Sequence, residues 1–316
     1  MPEKKKRFTG ETENKEGESC KKDPDQSTDD FKSIASIIYE SDNIHDTKQS
    51  IISSLDKIIK ESPIADKYTL LFLYDPYGDI LPYTANRIYN ALPKNKEQDI
   101  LLVIHSSGGQ IEPAYLISKC CKEFSKKFVV SIPRKAKSAA TLISLGAHEI
   151  HMGIMSELGP IDPQFGGLPA LGLSSAVEYL AGLCKRHPES SDMLAKYLSL
   201  TLDLRTLGYF ERVSESAMQY AQRLLDGKVL PENQSIYSVA AAFVYAYKDH
   251  SFVIDKEEAR NYLGDAIIAD SEEYQLGNNI HNLLESVTIF ADIFKQHKFS
   301  MVGSCDDLLF TEKKKS

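Results

Sequence analysis

Two short stretches hold residues whose types and spacing could carry chemistry. One is Pro133-Arg134-Lys135-Ala136-Lys137-Ser138-Ala139-Ala140-Thr141, where Ser138 stands among small residues that leave its hydroxyl accessible at the start of a helix. A helix start favours developing negative charge there. The other is His105-Ser106-Ser107-Gly108-Gly109. Paired glycines let backbone N–H groups approach a ligand with no Cβ in the way, and such groups can donate to an oxyanion or a phosphate. Taken singly, each stretch has a plainer reading: the glycines permit a turn, and the serine is an N-cap. Together they say more, because consecutive parallel strands would bring Ser138 and the Gly108–Gly109 amides to the same sheet edge. No G-x-x-x-x-G-K-S/T follows, which argues against a nucleotide P-loop.

The elements needed for that placement are legible. Tyr68-Thr-Leu-Leu-Phe-Leu-Tyr74, Asp99 to His105, Lys127 to Ile132 and Glu149 to Met152 are short apolar runs, as expected of strands buried on both faces. Between them, residues 83–92, 112–126 and 138–147 read as helices. The alternation predicts parallel βα units with crossover helices. Ahead of this core, Ile34, Ile37 and Ile38, then Ile51, Ile52, Leu55, Ile58 and Ile59, recur at helical spacing. After Pro163 a loop containing Gly166-Gly167 leads into mostly helical sequence, with apolar stripes through Val213–Leu225, 235–248 and 277–295. The expected organisation is a disordered polar tail over 1–30, a helical segment over 31–62, an α/β domain over 63–270, and a C-terminal helix with polar tail over 271–316.

Composition narrows the function classes. With 316 residues, a net charge of −8 and a pI near 5.6, the chain lacks the general basicity of a nucleic-acid binder. The longest apolar run, Val239 to Tyr247, is well short of the roughly 18 residues of a membrane span. The N-terminus is charged from the start, without the apolar core of a signal peptide. Five cysteines, at 20, 120, 121, 184 and 305, form neither a paired framework nor a C-x-x-C metal pattern, so a reducing, cytoplasmic compartment is expected. His148 and His151 lack the spacing of a metal-binding helix pair, and no metal is expected.

Ser107-Gly108-Gly109, then Lys137-Ser138-Ala139-Ala140-Thr141-Leu142-Ile143-Ser144-Leu145-Gly146-Ala147, then Leu158-Gly159-Pro160-Ile161-Asp162-Pro163-Gln164 resemble the serine dehydrogenase proteinase family. That family is related to the Clp peptidases and signal-peptide peptidase A. The resemblance covers roughly residues 65–270, and His250 to Ile254 with Glu257-Glu258-Ala259 is similar to the family's C-terminal motif. It implies an α/β fold of the Clp/crotonase type, a repeated ββα/βα core with a helical C-terminal part. By the same resemblance, Ser138 is the nucleophile, and the backbone of Gly108, Gly109 and Ala139 holds the oxyanion.

One departure changes the expected base. Clp peptidases carry a histidine in an Ile-His-Gln-Pro strand after the serine, whereas here the comparable stretch is Ile161-Asp162-Pro163-Gln164. A Ser-Lys dyad is the natural substitute, since a desolvated lysine can act as base. Lys185, 47 residues after Ser138, matches the placement in signal-peptide peptidase A; His250 is the histidine alternative. The resulting expectation is a serine peptidase with no cofactor, acting on a peptide or protein substrate. Related enzymes form rings or stacks, which implies a homo-oligomer, and a partner unfoldase could feed the site. Two alternatives keep the fold: a crotonase-type acyl-thioester enzyme, and an inactive assembly or partner-binding protein.

Overall fold

The computed structural model describes residues 24–313, apart from 42, 166–167 and 202–203. Two helices come first, α1 (Pro24–Glu40) and α2 (Ile44–Lys60). Then strand and helix alternate: β1 (Tyr68–Asp75), α3 (Pro82–Ala91), β2 (Asp99–Ser106), α4 (Ile111–Glu123), β3 (Phe128–Ile132), β4 (Lys135–Ala136), α5 (Ala139–Leu145) and β5 (Glu149–Met152). The strand β6 (Glu157–Leu158) and a small hairpin, β7 (Gln164–Phe165) with β8 (Leu168–Pro169), precede a helical stretch. This comprises α6 (Ala170–Arg186), α7 (Ser191–Thr201), α8 (Leu204–Leu225) and α9 (Ile236–Ala241), which continues as a π-helical turn over Ala242–Ala246. The chain returns through α10 (Lys256–Leu263), β9 (Ile267–Ala269), α11 (Glu272–Lys295), β10 (His297–Gly303) and β11 (Leu308–Glu312).

The main sheet runs in the order β11-β10-β1-β2-β3-β5-β9. Pairing is parallel from β1 through β9, while β10 lies antiparallel to β1 and β11 antiparallel to β10. The apolar runs do face both ways. In β1, Leu71 and Leu73 join one core while Phe72 and Tyr74 join the other; in β2, Ile100, Leu102 and Ile104 oppose Leu101 and Val103. A period of two sends neighbouring side chains to opposite faces, so a run with no polar gap needs cover on both. Helices α3, α4, α5 and α8 supply it on one face, with Ile88, Ala114, Ile117, Leu142 and Leu224. Helices α1, α2 and α11 supply it on the other, with Ile38, Leu55, Ile280 and Leu284.

The ends of the chain depart from the expected organisation. Helix α1 starts at Pro24, inside the stretch expected to be tail; residues 1–23 and the Gly166-Gly167 pair lie outside the described residues. After α11 the chain is not a polar tail. It forms β10 and β11, whose Phe299, Met301 and Leu308 are buried in the second core and cover what would be an open edge at β1. The polar residues interleaved with these apolar ones gave the segment the look of a tail.

Candidate active site

Strands β2 and β4 are parallel neighbours, with Ser106 opposite Ala136, so the two loops of interest leave the sheet side by side. The Lys137 N–H donates to Ser106 O at 3.0 Å and secures the second loop to the first. Ser138 follows, at φ 52° and ψ −119°, and its side chain makes no capping bond to α5. The N-cap reading therefore fails: the backbone does not have the extended conformation of a cap. A non-glycine residue in this region is strained, and a serine on a sharp strand-to-helix turn projects its hydroxyl away from the backbone. The strain is held by flanking bonds from Ala140 N to Lys137 O (2.9 Å), from Leu142 N to Ser138 O (3.1 Å) and from Thr141 Oγ1 to Ala136 O (2.6 Å).

The glycine pair is packed directly against this turn. Gly108 has φ 110°, and a Cβ placed on it would lie 2.7 Å from Ser138 Cβ and 3.1 Å from Ala139 N. Gly109, at φ 148°, leaves no room either, because a Cβ there would lie 2.2 Å from Ile80 N. Its loop is fixed by Ile80 N donating to Gly108 O (2.8 Å) and Gln110 N donating to Ile80 O (2.9 Å). The structure thus brings Gly108, Gly109, Ser138 and Ala139 together. One feature was not expected: Gly108 N–H donates to Ser106 Oγ at 3.1 Å, so the loop's own hydroxyl engages that amide.

Lys185 stands elsewhere. It lies in the last turn of α6, exposed to solvent, in a helix without a buried residue among those described.

His250 sits in better company. Its Nδ1 lies 2.7 Å from Asp162 Oδ1, with the carboxylate side chain only 2% exposed and the imidazole 26% exposed. A carboxylate can only accept, so Nδ1 is the donor, and in the neutral form of the ring the lone pair would fall on Nε2. Gln164 Nε2 donates to the other oxygen, Asp162 Oδ2, at 3.0 Å and holds the carboxylate in place. This pair joins residues 88 positions apart. Asp162 stands in the Ile161-Asp162-Pro163-Gln164 stretch, and its position in that motif is the signal the sequence offers for it.

Hydrogen bonds tie the segments carrying this pair to one another, to α5 behind Ser138 and to the π-helical turn. Leu158 and Ile254 exchange bonds of 2.9 and 3.1 Å, Gly159 N donates to Thr141 Oγ1 (3.0 Å), and Ile161 N donates to Phe243 O in the π-helical turn (2.9 Å). His250 itself occupies a tight turn closed by Phe252 N donating to Asp249 O at 3.0 Å.

Behind the glycine loop lies a second histidine pair. His105 Nδ1 and His281 Nε2 are 3.0 Å apart, and His105 stacks on Tyr74 at 5.1 Å between ring centroids. Burial, reinforced by His281, Lys135 and Arg134, holds the His105 imidazole down to about 3. Burial and then Arg134 lower His281 to about 4. No group of three or more His, Cys, Asp or Glu among the described residues could hold a metal ion.

Residues 83–188 match the family of ClpP-like SDH-type serine proteinases. That span holds Gly108, Gly109, Ser138, Ala139 and Asp162, while His250 lies beyond it. Two uncharacterised proteins of Methanocaldococcus jannaschii are similar. MJ0137 is 41% identical over 92 residues, which is 29% of this chain and 32% of that protein. MJ1495 is 38% identical over 81 residues, 26% of this chain and 28% of that protein. The similar segment therefore spans about a third of these relatives. Two solved structures of 1510-N, a membrane-bound stomatin-specific protease, are also similar. A serine-to-alanine mutant has 15% identity and a TM-score of 0.40, covering 70% of this chain and 86% of that one. A lysine-to-alanine mutant in complex with a substrate peptide has 14% identity and a TM-score of 0.40, covering 79% of this chain and 94% of that one.

Proposed function

We propose that this chain, whose residues 83–188 carry the ClpP-like serine-proteinase pattern, hydrolyses peptide bonds with Ser138, His250 and Asp162 as its catalytic triad. The observation that supports this most is the His250–Asp162 pair, held on a segment bonded to the strained turn of Ser138. In this reading His250 Nε2 accepts the Ser138 proton as Oγ attacks the carbonyl carbon. Asp162 keeps the imidazole in the required tautomer and stabilises the imidazolium. Backbone N–H groups of Ala139 and the Gly108–Gly109 loop receive the negative oxygen, the Gly108 amide being released from Ser106 Oγ as they do. His250 then returns the proton to the leaving amine, and water repeats the sequence on the acyl-enzyme. No cofactor takes part.

The acyl-thioester alternative needs a carboxylate free to work on the substrate, and Asp162 is already committed to His250 and Gln164. The inactive alternative rested on the absent histidine of the Clp pattern, and His250 offers a base from another part of the chain. Free thiols at Cys120, Cys121, Cys184 and Cys305 accord with a reducing, cytoplasmic setting. Among the described residues no helix is long and apolar enough to cross a membrane.

We also propose self-association. Helix α7 buries no residue, and Met193, Tyr197 and Leu200 stand exposed on it, with Tyr179 on α6. Short helices in water owe most of their stability to a packed apolar face, which a second copy would provide. Light scattering should give a mass above the 35.4 kDa of one chain; a monomer at micromolar concentration would refute it.

The catalytic reading is tested with a fluorophosphonate probe. Labelling should map to Ser138 and vanish in Ser138→Ala. It should fall about 10³–10⁴-fold in His250→Ala with the fold intact. Labelling at another serine, or undiminished labelling in His250→Ala, would overturn the triad.

A further inference from the structure

Lys137, next to the serine, makes contacts that a solvent-facing lysine would not make. Its main chain is part of the nucleophile's turn, donating to Ser106 O and accepting from Ala140 N. Its side chain runs across Gly159, close enough that a Cβ on that glycine would lie 2.6 Å from Lys137 Cδ. Beyond the glycine, Nζ meets three acceptors: Phe252 O at 2.9 Å, Leu158 O at 3.3 Å and Glu157 Oε2 at 2.9 Å. An ammonium has three N–H donors and no acceptor, so the set is complete. The side chain is 14% exposed, which limits competition from water.

The acceptors matter because of where they lie. Leu158 is the β6 residue that bridges to Ile254, and Phe252 closes the turn in which His250 sits. Four methylenes away, the main chain of the same residue donates to Ser106 in β2 and accepts from Ala140 in α5. We infer that Lys137 is a positioning residue, a strut that sets the separation between the turn of Ser138 and the turn of His250. The inference rests on His250 being the base. Lys137 takes no proton in it; the ammonium adds a direct side-chain brace between two loops that are otherwise joined only through the β4–β6 pairing and the Leu158–Ile254 bridge. Gly159 belongs to the same device, since any side chain there would lift the lysine stem off its path.

The test is the rate of fluorophosphonate labelling at Ser138 in the full chain. Lys137→Met keeps the stem and removes the charge and donors. It should slow labelling about 10²-fold, the scale of a misplacement of about 1 Å between reacting groups. Lys137→Arg, which can still donate to carbonyls and Glu157, should recover most of that loss. The deciding measurement is the pair with His250→Ala. If the lysine acts through the histidine, Lys137→Met slows the His250→Ala protein no further; equal slowing in both backgrounds would overturn the inference. A slow His250→Ala protein beside a Lys137→Met protein of unchanged rate would sink the strut and leave the triad standing. An unchanged rate in His250→Ala would overturn both. Should Lys137→Met fail to fold, Glu157→Gln removes one of the three anchors and should show a smaller slowing with the same dependence on His250.

Discussion

Two of the histidine pairs among the described residues, His250–Asp162 and His105–His281, lie in contrasting surroundings. His250 faces the buried Asp162 carboxylate and keeps part of its ring open to solvent. His105 faces another histidine, His281, whose Nδ1 is buried with no partner. Next to a carboxylate, protonation of the ring creates an ion pair, which suits a group that must accept a proton during a reaction. Next to another imidazole, with Arg134 and Lys135 close by, protonation adds like charge in a buried place. The first arrangement is the one proposed above as the base. The second makes a neutral structural contact that ties α11 to the strand carrying the glycine loop.

The largest effect separating the pairs should be on rate. Asp162→Asn would let the amide donate to Nδ1 and put the proton on Nε2, the wrong nitrogen for a base. Hydrolysis or labelling should fall by about 10⁴-fold while unfolding stays cooperative. His281→Gln should leave the rate close to that of the unaltered protein. Equal losses in the two variants would erase the distinction.

A second effect should appear in stability against pH. In the unfolded chain His105 and His281 titrate near 6.5, whereas in the fold burial holds them at about 3 and about 4. Below pH 6.5 the unfolded state therefore binds more protons, and stability falls as the pH drops toward 4. The urea midpoint measured from pH 8 to pH 4.5 should decline below about 6.5, and less steeply in His105→Asn/His281→Asn. His148 and His151 are also lowered, chiefly by burial, so some slope should survive the double change. A double variant whose slope matches the parent would show that the pair is not responsible.

The smallest effect should come from Lys185. Exposed at the end of α6, it has no burial to make it a base, so Lys185→Ala and Lys185→Arg should both label at nearly the parent rate. A collapse in both, as a Ser-Lys dyad requires, would return the base role to Lys185 and reduce His250–Asp162 to a surface-loop clasp.

Lys185 and Asp162 also show where sequence reasoning reached and where it stopped. Lys185 was selected by its distance along the chain from Ser138, a quantity that says nothing about which way its helix faces. Asp162 lies in the Ile161-Asp162-Pro163-Gln164 motif, whose sequence draws notice to the histidine it lacks rather than to the carboxylate it has. Gly108 and Gly109 were identifiable because the constraint on them is local in type: only glycine tolerates both a positive φ and a backbone or Cβ atom at such close range. The strain at Ser138 was not identifiable, since a serine before a helix has the composition of an N-cap whatever its φ. Strands β10 and β11 are not legible because polar residues interrupt their apolar ones, and their place is set only by pairing, β10 on the edge of β1 and β11 on β10.

The sequence by itself determined the alternating βα core, the two-faced burial of its strands and the loops where chemistry could occur. Those features follow from periodicity and from the special geometry of glycine, which act over a few residues. Tertiary structure alone decided that Asp162 meets His250 across 88 positions, that Lys137 reaches Phe252 across 115, and that Lys185 faces water. Such pairings depend on the path of the whole folded chain, because a charged or titratable side chain takes its role from the neighbours, burial and hydrogen bonds that path provides.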